Sequence, residues 1–254
     1  MGAQGQTSTG VTFGGATAAP VTTTTTTTTT DPDGGETKVE EPTDHEKVVG
    51  GWGVGLLSAV ELQPLLPGPA YPEQSLVVAI LGARGWLTEG LGVEIGLGFN
   101  TRNGTRADDL EDREDVPEPT TWGLALHLGV PLSFYDDEHY QFLLLPELNF
   151  GMAMGRTEDD PNVPGDQAVR QRARLVGGGL RAGAEVQFGM IGLPMLALTG
   201  TVGVRLNYQD ASVEAAENGV VVTRIRRGFE ASTSSFNDPW DIFVSSIAAL
   251  YYFR

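Results

Sequence analysis

The sequence of 254 residues contains no cysteine, and this absence excludes several kinds of site. A chain without cysteine has no disulfide framework, no thiol nucleophile and no cysteine-ligated zinc. Basic residues are also scarce, with 16 Lys and Arg against 33 Asp and Glu, and the formal net charge is -17. Because a nucleic-acid surface needs clustered basic residues to replace phosphate counterions, we expect no nucleic-acid partner.

Long apolar runs are missing as well. No run of roughly 18 apolar residues occurs, so the sequence predicts no transmembrane helix, but a transmembrane β-barrel needs no such run. The beginning, MGAQGQTSTG, lacks the basic and apolar regions of a signal peptide. We expect Met1 and Gly2 to precede a mature sequence that begins near Ala3 or Gln4.

Residues 1–47 are rich in Thr, Gly, Pro and acidic residues, and every residue from 22 to 30 is Thr. Such a segment buries too little apolar surface to offset the entropy of ordering, so we predict a disordered periplasmic tail. It acts as a passive spacer, or else as a tether or a glycosylated tract. His45 falls in this tail and His139 in a short turn, so neither is expected to join His127 in a metal site.

The clearest pattern lies in residues 91–101, LGVEIGLGFNT. Every second residue is apolar, which predicts a strand with one apolar face. Three of the intervening residues are glycines, which pack nothing in a strand unless their face is crowded. A narrow closed barrel with hydrocarbon outside and a tight polar interior explains both faces, whereas soluble ligand-binding barrels have the reverse pattern.

Alternation of this kind recurs in eight segments of residues 48–254, which predicts an all-β, eight-stranded antiparallel up-and-down transmembrane β-barrel. The predicted strands are residues 50–62, 76–87, 91–101, 121–134, 140–154, 174–188, 195–208 and 240–253. The long links, residues 63–75, 102–120, 155–173 and 209–239, are predicted to be extracellular, which leaves both termini periplasmic. Aromatic residues at the strand ends indicate two girdles, with Trp52 and Trp86 in the lower one and Phe99 and Trp122 in the upper one. Asn218 and Gly219 predict a hairpin flap within the last loop.

These features resemble the eight-stranded outer-membrane barrels of Gram-negative bacteria, the group that contains the OmpA, OmpX and OmpW transmembrane domains. The resemblance covers roughly residues 48–254 and includes the ending IAALYYFR, which looks like the C-terminal signal read by the barrel-assembly machinery. Arg254 departs from that signal, which usually ends on the aromatic residue. The resemblance implies an outer-membrane location and no cofactor, and leaves the oligomeric state open.

Four charged or titratable residues are predicted to meet inside the barrel. Aromatic and loop-centre cues set the hairpin registers so that Glu94 faces His127, His127 faces Glu147, and Glu147 faces Arg181. A satisfied network that blocks the interior is the first interpretation, and a proton-sensitive gate is the second. Catalysis is the third, because the barrel deacylases that the fold resembles use His with Ser, but Ser133 lies six residues from His127 on the same strand face.

Two sets of charges lie outside the predicted membrane span. Arg170, Arg172 and Arg174 are placed on the outward face above the apolar band, where lipopolysaccharide phosphates would lie. Residues 107–118, ADDLEDREDVPE, carry seven carboxylates against one Arg, which indicates a solvated acidic loop or one bridged by divalent cations. No spacing typical of a dedicated metal site occurs.

The sequence is therefore compatible with three classes of function. The first is a closed membrane anchor that presents extracellular loops and a flexible tail for adhesion or envelope organisation. The second is a narrow conduit for small or apolar solutes, and the third is an outer-membrane lipid-modifying enzyme. The long flap and the tail favour the anchor, and we expect no enzymatic activity.

Overall fold

The computed structural model describes residues 42–62, 76–106, 116–157, 169–217, 220–233 and 247–253. These comprise a short helix, ten strands and one 3₁₀ turn: α1 (Asp44–Val48), β1 (Trp52–Leu62), β2 (Leu76–Thr88), β3 (Leu91–Arg106), β4 (Val116–Gly129), β5 (Leu132–Asp136), β6 (Tyr140–Thr157), β7 (Val169–Phe188), η1 (Gly189–Ile191), β8 (Leu193–Glu217), β9 (Val220–Thr233) and β10 (Ile247–Phe253). The tail through residue 41, loop 63–75 and most of the acidic loop, residues 107–115, lie outside the described residues. Among the helices of the described ranges, none has the length and apolar character needed to cross a membrane.

The strands form one antiparallel sheet that closes on itself. Hydrogen-bonded neighbours run in the order β10, β1, β2, β3, β4, β6, β7 and β8, and β8 pairs with β10 to complete a ring of eight strands. Strands that are neighbours in this ring follow one another in chain order, except that β5 comes between β4 and β6 in the chain and β9 comes between β8 and β10. This ring confirms the predicted all-β antiparallel architecture.

The two faces of the ring have opposite chemistry. Outward side chains of β3 are apolar and exposed, with Leu97 at 61% and Phe99 at 63% exposure. The same holds on other strands, where Phe142, Val202 and Tyr251 are exposed. Inward positions of β3, β6 and β7 instead hold the buried charges Glu94, Glu147, Arg181 and Glu185. The alternation therefore places apolar residues outside the ring and ionic groups within it.

Trp86 corrects the predicted lower girdle, because its side chain is buried inside the ring. A register irregularity between Trp86 and Thr88 interrupts the alternation at this end of β2. The indole Nε1 donates a hydrogen bond of 3.1 Å to the hydroxyl of Tyr252, which also faces inward. The neighbour Leu87 is the exposed residue there.

The predicted strand of residues 121–134 is divided in two. β4 ends at Gly129 and β5 begins at Leu132, and residues 130 and 131 lie in no strand. Pro131 has no N–H to donate to a ladder, which explains an interruption at this position. Its carbonyl still accepts from Gly92 N at 2.8 Å, and β5 pairs with β6, so the wall continues past the break.

β10 forms the last part of the predicted eighth strand, whose residues 240–246 lie outside the described residues, and β9 forms the predicted hairpin flap with β8. Both pair antiparallel with β8: Thr233 of β9 lies opposite Val204, and Ile247 of β10 lies opposite Gly200. The two strands are thus successive segments along one edge of β8.

The predicted loops at residues 102–120, 155–173 and 209–239 are also too long, since β3, β4, β6, β7, β8 and β9 extend into them. Their cross-strand pairs continue beyond the apolar band, which explains the extension.

The part of the β1–β2 hairpin nearest its connecting loop bends into the ring. β1 leaves β10 after Leu56, and β2 leaves β3 before Leu81. Residues 57–60 are all buried, so both faces of this segment are covered. The predicted crowding beside the glycines is therefore present, since a Cβ on Gly96 would lie 2.5 Å from Ile80 Cγ2 and one on Gly98 2.6 Å from Val78 Cγ1. The crowding groups are apolar, however, and not the polar ones predicted.

Candidate functional site

The buried charges of the ring form a network on the inward faces of six strands. Its ionic groups comprise three arginines and three glutamates, together with one histidine: Arg84, Glu94, His127, Glu147, Arg181, Glu185 and Arg205. All except Arg205 are nearly inaccessible to solvent. The equal numbers of guanidinium and carboxylate groups mean that the ionic part is neutral without a proton on His127. Such balance is what a buried ionic network requires.

The first half of the network is centred on Arg84 of β2. Its guanidinium forms ion pairs with Glu94 on the neighbouring β3 and with Glu185 on β7. Arg84 also donates to Thr199 Oγ1 at 3.2 Å, and that hydroxyl donates to Glu185 at 2.7 Å. Gln141 Nε2 donates to the other oxygen of Glu185 at 3.0 Å. This one carboxylate therefore joins β2, β6, β7 and β8.

The second half is centred on Glu147 of β6, which accepts two guanidinium groups. Arg181 Nη2 lies 2.7 Å from one carboxylate oxygen, and Arg205 Nη2 lies 2.8 Å from the other. Arg205 extends further, to the carbonyl of Ala59 at 3.4 Å and the hydroxyl of Ser58 at 3.5 Å. These contacts reach the inward-bent part of β1 and tie it to the opposite wall.

His127 connects the two halves. Its Nε2 lies 3.1 Å from Glu94 Oε2, and its Nδ1 lies 2.9 Å from Asn149 Oδ1 and 3.9 Å from Glu147 Oε2. Two arrangements satisfy this geometry: a ring with both nitrogens protonated, or a neutral ring beside a reversed Asn149 amide. Asn149 Nδ2 has no hydrogen-bond partner among the described residues in the present orientation, and the reversal gives it one.

The structure thus brings together Glu94, His127, Glu147 and Arg181, but with different registers. Glu94 lies opposite Gly129, His127 opposite Asn149, and Glu147 opposite Gly179. Each predicted hairpin is displaced by two residues, because the aromatic pairs and the loop centre used to set the registers are not the actual partners. Phe99, for example, pairs with Leu124 and not with Trp122. A displacement of two keeps every residue on its own face, and long side chains still reach their partners diagonally.

Sequence reasoning missed three members of this network: Arg84, Glu185 and Arg205. Glu185 and Arg205 lie on the predicted inward faces, but their partners depend on contacts across the ring that no hairpin register provides. The sequence does single out Arg84, because it is the only charged residue of β2, LVVAILGARGWLT. A lone charge within an apolar strand of this kind predicts an inward ion pair.

A second cluster closes around α1, and it corrects the predicted boundary of the tail. Asp44 and His45 are buried, although both were assigned to the tail. Thr43 and Glu46 form a reciprocal capping box that starts the helix, which is the sequence signal for it. Asp44 N donates to Glu138 O at 2.9 Å, and Asp44 Oδ2 lies 2.7 Å from His139 Nδ1. The helix is therefore held by the β5–β6 turn.

The contacts of α1 continue into the ring at His45. Its ring lies edge-on to Trp86 with centroids 4.5 Å apart, and its Nε2 lies 2.7 Å from the carbonyl of Glu89. Burial raises the pKa of Asp44, but hydrogen bonds with Lys47 and His139 outweigh this effect and leave the pKa below its ordinary value. Asp44 is thus a carboxylate with two basic partners. The helix covers Trp86 and, through it, Tyr252 and Glu185.

The three arginines predicted to contact lipid lie on β7. Arg170, Arg172 and Arg174 are exposed and alternate with the buried residues Gln171 and Ala173, so they share the outward face. They are distant from the inward network, which faces the other side of the same sheet. Sequence reasoning did not include Arg156, which lies directly opposite Arg170 on β6.

The network offers no arrangement of nucleophile and base among the described residues. Both ring nitrogens of His127 have hydrogen-bond partners, Nε2 in Glu94 and Nδ1 in the side-chain amide of Asn149, and Ser133 lies in β5 beyond the break at Pro131. Within the described ranges, no group of three or more His, Asp or Glu side chains is placed to hold a metal ion. The chemistry that the geometry does support is charge compensation across the ring.

Comparisons with known proteins give little information about this chain. No protein-family model matches it, and no curated protein matches it at a significant level. A solved structure of a major outer membrane protein from Thermus thermophilus is similar to it with a TM-score of 0.39 and 14% sequence identity, over 80% of this chain and 98% of that chain. A similarity of this size does not bear on function.

Proposed function

We propose that the ring is an integral outer-membrane β-barrel that acts as a closed anchor, presenting extracellular loops and its Thr-rich tail for adhesion or envelope organisation. One observation carries the proposal: apolar side chains cover the outward face while charges are buried inside. Large hydrophobic residues such as Leu81, Ile95 and Phe134 are more than half exposed, whereas Arg84 is 1% exposed. Exposure of such an apolar surface to water is unfavourable, whereas contact with the hydrocarbon of a membrane is favourable.

The closed state follows from what fills the interior. On one level the ion pairs of Arg84 and Glu147 span it, and on another the inward-bent hairpin packs Leu62 and Leu76 beside Gly123. At the end near the β5–β6 turn, α1 covers Trp86. A solute would have to displace side chains at each of these levels. This favours an anchor over a conduit.

A lipid-modifying enzyme finds less support. Such an activity needs a histidine that can take a proton from a serine close to the lipid, and both ring nitrogens of His127 are instead hydrogen-bonded to the interior residues Glu94 and Asn149. The alternation of Ile247, Ala249, Tyr251 and Phe253 on the outward face of β10 suits recognition of this strand by the barrel-assembly machinery.

The test is refolding of the full chain into lipid vesicles. Heat-modifiable migration on gels together with protection of the strands from protease is the expected result for a membrane-embedded barrel. A planar-bilayer recording should then show no stepwise conductance. Stable steps in the parent protein would favour a conduit instead, and a chain that stays in the aqueous phase without detergent would contradict membrane insertion.

A further inference from the structure

Four exposed arginines form a compact group on the outward face of β6 and β7. Arg170, Arg172 and Arg174 follow one another along β7, and Arg156 of β6 lies directly opposite Arg170. Alternate residues of a strand are about 7 Å apart, so the row is about 13 Å long. We name these four residues, Arg156, Arg170, Arg172 and Arg174, the arginine patch.

The patch lies next to exposed apolar residues on the same outward face of the sheet. Arg174 lies opposite Met152, and the next outward pair along the same strands is Phe150 with Val176, both of which are exposed. Tyr208 on β8 lies opposite Val176 and belongs to the same level. The patch therefore adjoins the exposed apolar residues of β6, β7 and β8, and the exposed Ile225 of β9 lies at the level of Arg172. This is the height where headgroups meet the protein in the proposed membrane placement.

Carboxylates lie beside the patch among the described residues, but none of them forms an ion pair with its guanidinium groups. Arg156 and Arg170 are like charges placed directly opposite each other, an arrangement that destabilises a sheet. Asp210 and Glu214 lie opposite Arg174 and Arg170 on β8, but Asp210 is 3.7 Å from Arg227 of β9. Among the described residues, no carboxylate lies within ion-pair distance of the four patch guanidinium groups. In a chain with net charge -17, such a concentration of positive charge is unusual.

We infer that the arginine patch binds the phosphate groups of a lipopolysaccharide in the outer leaflet, an inference that rests on the proposed membrane placement. Guanidinium groups donate paired hydrogen bonds to phosphate oxygens, and several on adjacent strands can hold a headgroup that carries more than one phosphate. The acyl chains of the same lipid then lie along Phe150, Val176 and Tyr208. Bound phosphate relieves the repulsion between Arg156 and Arg170.

The experiment measures lipid binding to the full chain folded in detergent, by native mass spectrometry with bisphosphorylated lipid A as the probe. The patch variant carries Arg156→Gln, Arg170→Gln, Arg172→Gln and Arg174→Gln. We expect its affinity to fall by at least about tenfold, since each tenfold corresponds to roughly 1.4 kcal/mol and several charge-assisted hydrogen bonds are removed. The single change Arg172→Gln is compared with the matched control Arg226→Gln, because Arg226 is exposed but lies opposite the buried Ala211, on the other face of the sheet.

Each outcome decides the inference. Unchanged affinity in the patch variant overturns it, as does an equal loss in the Arg226→Gln control, which would indicate general charge attraction. Equal binding of phosphatidylglycerol and lipid A would also overturn it, because a single phosphate would then suffice. If the quadruple variant does not fold, the triple variant Arg170→Lys, Arg172→Lys and Arg174→Lys keeps the charge and should bind more weakly through the loss of paired hydrogen bonds. Heat-modifiable migration, scored separately, reports whether the membrane placement itself fails.

Discussion

Arg84 and Glu185 form an ion pair between opposite walls of the ring, although 101 residues separate them along the chain. Four steps around the ring separate β2 from β7, which is the largest distance that eight strands allow. Backbone ladders connect only neighbouring strands, so a pair of this kind fixes the width of the ring in a way that hairpins cannot. Its burial makes any single replacement costly, because the remaining charge keeps its desolvation penalty.

Replacement of Arg84 tests this role. Arg84→Met leaves Glu94 and Glu185 buried without their shared cation, and we expect a loss of about 3 to 5 kcal/mol in the free energy of unfolding, the range for breaking a buried pair. Adding Glu185→Gln removes one of the stranded charges, so the double variant should be more stable than the sum of the two single losses predicts. Urea unfolding in vesicles measures all three. The control is Arg226→Met, an exposed arginine whose loss should cost less than about 0.5 kcal/mol. Strict additivity would mean that Arg84 and Glu185 do not interact.

Glu147 is predicted to matter more than either of its partners. Glu147→Gln leaves Arg181 and Arg205 facing each other without a carboxylate, whereas Arg181→Met leaves Glu147 paired with Arg205 at 2.8 Å. The loss of stability should therefore be larger for Glu147→Gln, and Arg181→Met should recover part of it in the double variant. Single-channel recording of the same variants separates structure from gating. A rise in conductance in the single variant Glu147→Gln would indicate a gate. If Glu147 and Arg181 are coupled in the free energy of unfolding but no variant conducts, the network has a structural role only.

Gly98 tests whether the inward-bent hairpin packs as tightly as the contacts indicate. A Cβ at this position would lie 2.5 Å from the carbonyl oxygen of Ala79, which is backbone and cannot rotate away. We expect Gly98→Ala to cost about 1 to 3 kcal/mol through overpacking. Gly200 is the matched control, because a Cβ there would meet nothing within 4 Å, and Gly200→Ala should be neutral or slightly stabilising. Equal effects of the two changes in urea unfolding would show that this part of the interior is loosely packed.

The sequence was informative wherever period-two alternation decides the structure. It placed Glu94, His127, Glu147 and Arg181 on inward faces, and a face is insensitive to a register displacement of two. It did not provide the register itself, because a displacement of two residues leaves the apolar pattern of both strands unchanged, and the aromatic pairs and loop centre used as guides were not the actual partners. Contacts across the ring, such as Arg84 with Glu185, depend on the closed geometry and have no local signature.

The helix α1 shows a different reason for a missed feature. The composition of residues 1–47 predicts disorder throughout, whereas the capping box of Thr43 and Glu46 is a local signal for a helix within this polar segment. A helix of five residues has little stability of its own, since its first turn is costly to form. It is held by tertiary contacts of Asp44 and His45 with the turns at Glu138 and Glu89. Propensity could not have shown those contacts.

The last prediction concerns the pH dependence of this helix. Asp44 has a pKa below its ordinary value of 3.8, because the hydrogen bonds with Lys47 and His139 outweigh the effect of burial. A lowered folded-state pKa means that the carboxylate stabilises the docked helix fully above about pH 3.8, and that this contribution is lost as the pH falls through the lower folded value. Asp44→Asn should therefore weaken docking at neutral pH and remove this acid-dependent step.

Since the chain has no cysteine, Pro42→Cys gives a single labelling site beside the helix, and the polarisation of an attached fluorophore reports docking. Glu138→Gln is the control, because Glu138 is exposed and lies 3.7 Å from His139 without contacting Asp44 through its side chain. Identical acid profiles for the parent and Asp44→Asn would exclude Asp44 as the group that holds α1.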